Sequence, residues 1–393
     1  MGLHILHVAE ILAGGTASYL SEILATQRAD RRIASVRLLL PEFHRDALAI
    51  PPGCEAAYFG GGASRAWRSL ALARALRATL RERPASVVHL HGSYAGFAGR
   101  LAVPAWRERI VYCSHGWAFD RAVAGWANRL VAGVERALAP LAQAIVCISR
   151  HDHALALQVG IAPARLRLVC NGVRDLSAVP PSEQPEWPAL GASQEPGALR
   201  CLFVGRLDRQ KGVEVFLAAL ADQPGLSGAV VGGSVVSGAD GASGLQVPAN
   251  VAMLGWRDRE AVRRWIAACD VLVVPSRWEG FGLIAAEGMR AGKPVVASEV
   301  GGLRELVVDG LTGRLVPPDD PAALRRALLQ LRRMDPRAMG AAGRARFLAH
   351  FEARRMNEAL VQLYQEIDAA AAALQPGRPR AAPQAQPARE SVQ

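Results

Sequence analysis

Two glutamates, Glu279 and Glu287, flank the seven residues Gly280-Phe-Gly-Leu-Ile-Ala-Ala286, shortly after the apolar run Asp270–Pro275. The run reads as a strand and the segment from about Leu283 as a helix, so Glu279 falls in the connecting loop and Glu287 on the helix. The amides of Phe281, Gly282 and Leu283 then form a helix N-terminus that can hold a phosphate. A carboxylate accepts hydrogen bonds from hydroxyls, often two at once, so one glutamate can reach past the phosphate to a sugar and the other back to a ribose. Taken alone, the pair also fits a capping glutamate and a surface one.

A second segment changes that balance. Gly205-Arg-Leu-Asp-Arg-Gln-Lys-Gly212 follows the apolar run Leu199–Gly205 and precedes a helix. Arg206 and Lys211 are thereby placed at the C-terminal edge of a parallel sheet, where open α/β folds bind ligands. A guanidinium and an ammonium there can neutralise a diphosphate leaving group without a metal. Of 46 basic residues only Lys211 and Lys293 are lysines, so a lysine at this place stands out; Lys293, in Ala291-Gly-Lys-Pro-Val, reads as structural. His115, in Tyr112-Cys-Ser-His-Gly-Trp-Ala-Phe119, ends a strand beside a glycine and is the histidine most suited to a site. His91 leaves function and packing equally open. His4, His7 and His89 sit in strands and read as packing residues, and His151 and His153 as helix surface. Gly14-Gly15 joins the first strand to a helix opening near Thr16, a turn whose amides can face an anion. Neither GxxxxGK[ST] nor a GxGxxG after the first strand is present.

The elements that must position these groups follow from the alternation of short apolar runs with longer Ala/Arg/Leu stretches, the pattern of parallel βα units. Strands are expected at 3–9, 35–40, 86–91, 109–114, 144–149 and 166–171. A second series is expected at 199–205, 229–233, 251–255, 270–275, 294–298 and 313–316. Between the two series, Asp175–Gly197 carries five prolines and reads as a linker. The expected organisation is an N-terminal Rossmann-like domain (1–174), a linker (175–198) and a C-terminal Rossmann-like domain (199–345). A helix (346–374) then packs back toward the N-terminal domain, and a Pro/Ala/Gln/Arg-rich tail (375–393) is disordered.

The chain has 393 residues, 51% hydrophobic and 21% charged, which excludes a disordered chain and a disulfide-stapled miniature. Its six cysteines are scattered singly and read as small core residues of a reduced cytosolic protein. No signal peptide or membrane span is expected. The net charge is +11, and residues up to Asp175 hold 21 arginines against 12 acids, so the first half carries most of it.

Glu279 to Glu287 with GFG between them, the stretch from Gly205 to Gly212, Asn171-Gly-Val173, and Gly301-Gly-Leu-Arg-Glu305 followed by Asp309-Gly-Leu-Thr-Gly313 together resemble the retaining nucleotide-sugar glycosyltransferases of family 4. The resemblance runs from the first strand to about Pro318. It implies the GT-B architecture: α/β, two Rossmann-like doubly wound domains facing across a cleft, with the donor held by the second and the acceptor by the first. It implies that Arg206 and Lys211 bind the diphosphate, that Glu279 contacts the donor sugar, and that Glu287 bonds the ribose hydroxyls. Gly15 is implied near the donor phosphate, His115 at the donor sugar, and Gly205, Gly255 and Trp256, with Phe281, Gly282 and Leu283, around the nucleotide. The passages Leu90–Arg100 and His115–Phe119 are similar to a bacterial branch that builds capsule, O-antigen and related glycans, which favours a UDP-sugar over a GDP-sugar. No DxD occurs, so no metal and no other cofactor is expected.

The segment 63–83 holds Arg65, Arg68, Arg74, Arg77, Arg81 and Arg83 against one acid, Glu82, with Leu72, Leu76 and Leu80 forming a separate helical stripe. Such a helix can pack its leucines on the sheet and offer arginines to an anionic membrane surface or a lipid diphosphate, each cation contributing about 1 kcal/mol. A solvated face in an arginine-biased chain is the equal alternative. Nucleic acid is not expected, because Trp67 is the one aromatic residue among these arginines and no recognised nucleic-acid module appears. The expectation is a glycosyltransferase acting on a lipid-linked or polysaccharide acceptor, cytoplasmic and peripheral on the inner face of the membrane. A nucleotide-sugar epimerase or hydrolase on the same fold, and a non-catalytic nucleotide-sugar-binding subunit, are the alternatives.

Overall fold

The strand Leu3–Ala9 (β1) is buried on both faces, the state of a central parallel strand covered by helices. Around it, in the computed structural model, Ile33–Pro41 (β2), Cys54–Phe59 (β3), Val87–His91 (β4), Ile110–Cys113 (β5), Ala144–Cys147 (β6) and Leu166–Leu168 (β7) form a seven-stranded sheet in the order β3-β2-β1-β4-β5-β6-β7. Its pairings are all parallel. The helices Gly15–Gln27 (α1), Arg65–Glu82 (α2), Ser93–Ala102 (α3), Gly125–Leu138 (α4) and Arg150–Gln158 (α5) connect these strands. The structure describes residues 2–12, 14–61, 64–120, 125–189, 195, 197–233 and 244–374, without the side chain of Arg65. The tail after Leu374 and most of the glycine-rich run 232–244 lie outside the described residues.

A second parallel sheet has the order β10-β9-β8-β11-β12-β13 and is built from Leu199–Val204 (β8), Leu226–Val231 (β9), Val251–Gly255 (β10), Val271–Val274 (β11), Val295–Ser298 (β12) and Gly313–Val316 (β13). Val213–Leu220 (α6), Arg259–Ala268 (α7), Leu283–Arg290 (α8), Leu303–Leu306 (α9) and Pro321–Arg332 (α10) belong to it, followed by Pro336–His350 (α11) and Ala353–Leu374 (α12). In both sheets the strand order reverses beside the first strand, between β1 and β4 and between β8 and β11. The crevice at such a reversal, beyond the carboxyl ends of the strands, is the place where a ligand can enter an open α/β sheet.

One strand escapes the sequence pattern. Cys54-Glu-Ala-Ala-Tyr-Phe59 has no β-branched residue and sits at the sheet edge, so neither propensity nor a continuous apolar run marks β3.

Helix α12 follows the second sheet in sequence but packs on α1, β1 and β4 of the first. It buries Met356, Leu360, Val361, Tyr364 and Ile367, each stabilising by about 1.5–3 kcal/mol relative to exposure. Polar ties add direction: Glu358 pairs with Arg32 at 2.6 Å and Asp368 with Arg109 at 2.8 Å. Gly172 lies so close to the start of α12 that a Cβ there would stand 2.8 Å from the Ala353 Cα. The turn at Asn171-Gly172-Val173 is thereby a docking point for the returning helix.

Candidate active site

The first sheet contributes two loops to the cleft. After β1, Gly14 takes φ +59° and begins α1 without a side-chain cap, leaving the amides of the first turn for an external acceptor. A Cβ on Gly14 would lie 3.9 Å from Nη1 of Arg206, so the glycine turn of one domain faces the guanidinium of the other. Gly15, the first residue of α1, has open space where a side chain would stand. After β5, His115 adopts φ +58° and Gly116 φ +97°. A left-handed histidine is strained, and such strain persists only where its surroundings hold it.

The second sheet brings the charged groups. After Gly205, Arg206 pairs with Asp208 at 2.9 Å and donates to Gln210 Oε1 at 2.7 Å, while Asp208 Oδ1 accepts from the Lys211 amide at 3.1 Å. Gln210 in turn donates to the Trp278 carbonyl at 3.1 Å and ties this loop to the one carrying Glu279. Lys211 Nζ contacts both Glu279 oxygens, at 2.8 and 3.1 Å, with both side chains largely withdrawn from water. The Lys211 cation is thus neutralised by the Glu279 carboxylate.

Glu279 and the next three residues are held by a second glycine pair. Gly301 takes φ +45°, and a Cβ there would sit 1.8 Å from the Glu279 carbonyl oxygen; Gly302 lies against Phe281 and Gly280 in the same way. Gly302 N donates to that Glu279 carbonyl at 3.0 Å. The Phe281 ring turns into the core against Phe351, which leaves its backbone at the cleft. Gly282, at φ +101°, opens α8 with no side-chain cap, so the first amides of the helix are left for an external acceptor.

Glu287, one turn into α8, makes no hydrogen bond or ion pair among the described residues. Burial raises its pKa above the usual carboxylate range, against the pull of Arg290 and Arg259. Gly255 and the 73% exposed Trp256 lie at the end of β10, on the same sheet edge.

The His115 ring does not present a nitrogen to the cleft. Its Nε2 lies 3.0 Å from His91 Nδ1 and its Nδ1 3.6 Å from Cys113 Sγ, with Tyr19 edge-on at 4.6 Å. Desolvation lowers its pKa to about 3, so it is neutral at physiological pH. What borders the cleft is the turn itself: a Cβ on Gly280 would come within 2.9 Å of the Gly116 Cα.

Two carboxylates that spacing did not single out as site residues join the domains beside this contact. Glu22 of α1, almost wholly buried, accepts from Arg259 at 2.5 Å and from the amide and side chain of Arg174 at 2.8 and 3.0 Å. Glu305, present in the GGLRE segment but without an assigned role, accepts from the backbone N–H of Arg150 and His151 at 2.9 and 2.8 Å, capping α5 of the opposite domain. Glu305→Ala is expected to cost about 1 kcal/mol of this closure, a capping energy. Small-angle scattering should show a larger radius of gyration with the melting temperature nearly unchanged. An unchanged radius would show that other contacts set the closure.

The arginine helix needs correction. Leu72, Leu76 and Leu80 are buried as the stripe required, but Arg68 pairs with Glu10 at 3.4 Å and Arg77 donates to the Ala102 carbonyl at 2.7 Å. Those two are committed to the fold, because neighbouring elements supply acceptors that helical spacing alone does not show. Arg74 and Arg81 remain exposed.

Residues 14–172 match the family described as glycosyl transferase 4-like domain, and 198–333 match glycosyl transferases group 1. A D-inositol 3-phosphate glycosyltransferase of Geodermatophilus obscurus is 32% identical over 74% of this chain and 69% of its own. An uncharacterized 41.2 kDa protein in the cps region of Klebsiella pneumoniae is 28% identical over 81% of this chain and 87% of its own. Among solved structures, sucrose-phosphate synthase from Thermosynechococcus elongatus superposes with a TM-score of 0.79 at 24% identity, covering 93% of this chain and all of that one. Anabaena HepE in complex with UDP gives 0.74 at 20% identity, with 93% and 100% covered. The chain belongs to the group 1 glycosyltransferases. It is a glycosyltransferase of GT-B architecture, with two parallel-sheet Rossmann-like domains.

Proposed function

We propose that the chain transfers a sugar, with retention at the anomeric carbon, from a UDP-linked donor to a lipid-linked or polysaccharide acceptor in the synthesis of a bacterial surface glycan. The observation that carries this reading is the convergence of Arg206, Lys211 and the uncapped start of α8 on one side of the cleft, opposite Gly14. These groups supply fixed positive charge where a diphosphate would leave, so the reading includes no metal. Glu279 positions the sugar once Lys211 turns from it to the phosphate, and Glu287 holds the ribose. The acceptor hydroxyl enters on the leaving-group face and gives its proton to the departing phosphate oxygen, so Glu279 is a positioning and electrostatic group. The cps-region relative supports the pathway, as does the likeness to the lipopolysaccharide outer core galactosyltransferase WaaB, with a TM-score of 0.65. The UDP complex of HepE supports the base.

The same reading places the N-terminal domain on the cytoplasmic face of an anionic membrane. No helix among the described residues is long and apolar enough to cross one. Helix α2 packs along α3, and Arg100 of α3 pairs with Glu135 of α4 at 2.6 Å. Their outer faces expose Trp67 and Arg74 on α2, Phe97 and Leu101 on α3, and Trp126 and Leu130 on α4. Indole rings and arginines beside aliphatic side chains suit the headgroup level of a bilayer.

The test is thermal stabilisation of the chain by UDP- and GDP-sugars in the presence and absence of EDTA. A UDP-sugar at about 100 times its Kd should stabilise by about 2.7 kcal/mol whether or not EDTA is present. Stabilisation by GDP-sugars alone, or its loss with EDTA, would overturn the base or the metal-free reading. Product NMR should show the donor's anomeric configuration kept.

A further inference from the structure

Four histidines gather at one side of the first sheet, and three of them, His7, His91 and His115, form a connected path. His7 on β1 and His89 and His91 on β4 point to the side of the first sheet covered by α1 and α12, and all three are fully buried. Gln27 Oε1, at the end of α1, lies 2.8 Å from His7 Nε2. His7 Nδ1 lies 2.9 Å from His91 Nε2, and His91 Nδ1 lies 3.0 Å from His115 Nε2. The path therefore runs from a buried amide to the strained turn at the cleft.

We infer that Gln27, His7 and His91 are positioning residues that hold the His115 ring as its neutral Nε2–H tautomer, so that His115 serves transfer through the turn it anchors and exchanges no proton. The inference rests on the proposed transfer reaction for its kinetic part only. With the Gln27 amide oxygen turned toward His7 and the Cys113 thiol donating, both ends of the path specify the same tautomer. At the far end the Gln27 oxygen is an acceptor, so His7 carries its proton on Nε2 and offers a bare Nδ1 to His91. His91 then donates through Nε2 and accepts through Nδ1, which requires Nε2–H on His115. At the near end burial raises the pKa of the Cys113 thiol, which stays protonated and donates to a bare His115 Nδ1. The groups packed around the path are the Tyr19 ring on α1, His89, and Tyr364 of α12, whose hydroxyl lies 2.6 Å from His89 Nδ1. None is charged at neutral pH, because burial lowers the histidine pKa values, that of His7 to about 4, and raises those of both tyrosines.

A metal is the competing use of such a cluster, since one nitrogen from each of His7, His89 and His91 lies within 4.8 Å of the others. Two nitrogens on one tetrahedral zinc, each about 2.0–2.1 Å from it, stand about 3.3 Å apart. The 2.9 Å separation of His7 and His91 is that of a hydrogen bond.

The experiment is long-range nitrogen–proton NMR of the full chain with isotopically labelled histidine, without donor, alongside steady-state kinetics of three variants. In the unsubstituted chain His115 should appear as Nε2–H and not titrate between about pH 5 and 8. His91→Leu should lose that fixed tautomer and lower kcat by about 10- to 100-fold with donor KM changed less than about 2-fold, a misplacement effect. His91→Gln, which can accept from His115 and donate to His7, should recover kcat to within about 3-fold of the parent. Gln27→Met, at the remote end, should repeat the His91→Leu loss more weakly and covers the case in which His91→Leu fails to fold. An Nδ1–H tautomer, a His115 titration in that range, unaltered kcat in Gln27→Met, or a stoichiometric metal in the purified chain would overturn the inference. The tautomer is read without donor or acceptor, so a parent chain that transfers no sugar would sink the transfer reading and leave the NMR result intact.

Discussion

Lys211→Ala should lower kcat at saturating donor by about 100- to 1,000-fold, the loss found when one preorganised group facing developing charge is removed. The ammonium is held by Glu279 at 2.8 Å, and in the proposed reaction it would be drawn to the diphosphate as the bond to the sugar breaks. Its contribution grows as negative charge gathers on the leaving group, so the loss should appear in kcat more than in donor affinity. Arg206 cannot replace it, because that guanidinium is already directed by Asp208 and Gln210 on the side facing Gly14. Lys211→Arg should recover little, since the fork would have to fit where a compact point charge now meets both Glu279 oxygens. Single-turnover kinetics with folding checked by circular dichroism decide the matter, and a folded Lys211→Ala chain with parental kcat would remove Lys211 from the site.

Glu287 carries the second large effect. Its carboxylate makes no hydrogen bond among the described residues, and two ribose hydroxyls would supply partners. Glu287→Ala should weaken donor binding by about 100- to 200-fold, the loss of a pair of hydrogen bonds to a charged group at about 1.5 kcal/mol each. The pH dependence has a definite sign. The pKa is raised in the folded chain, so the native state binds this proton more tightly than the unfolded state, and ionising it works against the fold as pH rises. In the proposed ribose-binding role, Glu287 would act as a double acceptor in its ionised form. Affinity should therefore fall on acidification at a pH above the ordinary carboxylate range, and this inflection should vanish in Glu287→Gln. The same variant should melt slightly higher than the parent at neutral pH while binding donor poorly. Calorimetric titration across pH checks both, and an inflection that survives in Glu287→Gln would assign it to another group.

The C-terminal half of the cleft was largely legible in the sequence. The start of α8 at Leu283 follows from the Gly-Phe-Gly turn, and β10 and β13 follow from short apolar runs bounded by glycine and proline. Lys211 stood out through composition, as one of two lysines among 46 basic residues. Glu305 was visible within a motif, but its partners, two amides at the start of α5, are more than 150 positions away in the chain. Glu22 had no local signal, because a carboxylate on an amphipathic helix reads as surface until another domain's arginine covers it. Arg68 and Arg77 read as part of a cationic face for the same reason, and a carboxylate and a carbonyl from other elements claim them.

What the sequence alone determined is the set of local units: parallel βα repeats in two halves, the loops after their strands, and the residue types at those loops. These depend on spacing over a few residues, where period and turn chemistry act directly. Tertiary structure alone decided how the loops meet and which atoms they use. His115 shows the difference. Its place at the end of β5 follows from sequence, yet the direction of its ring follows from His91 on the neighbouring strand, His7 beyond that, and Gln27 on α1. Hydrogen bonds across a sheet depend on strand order, and strand order is set by packing energies summed over the whole domain.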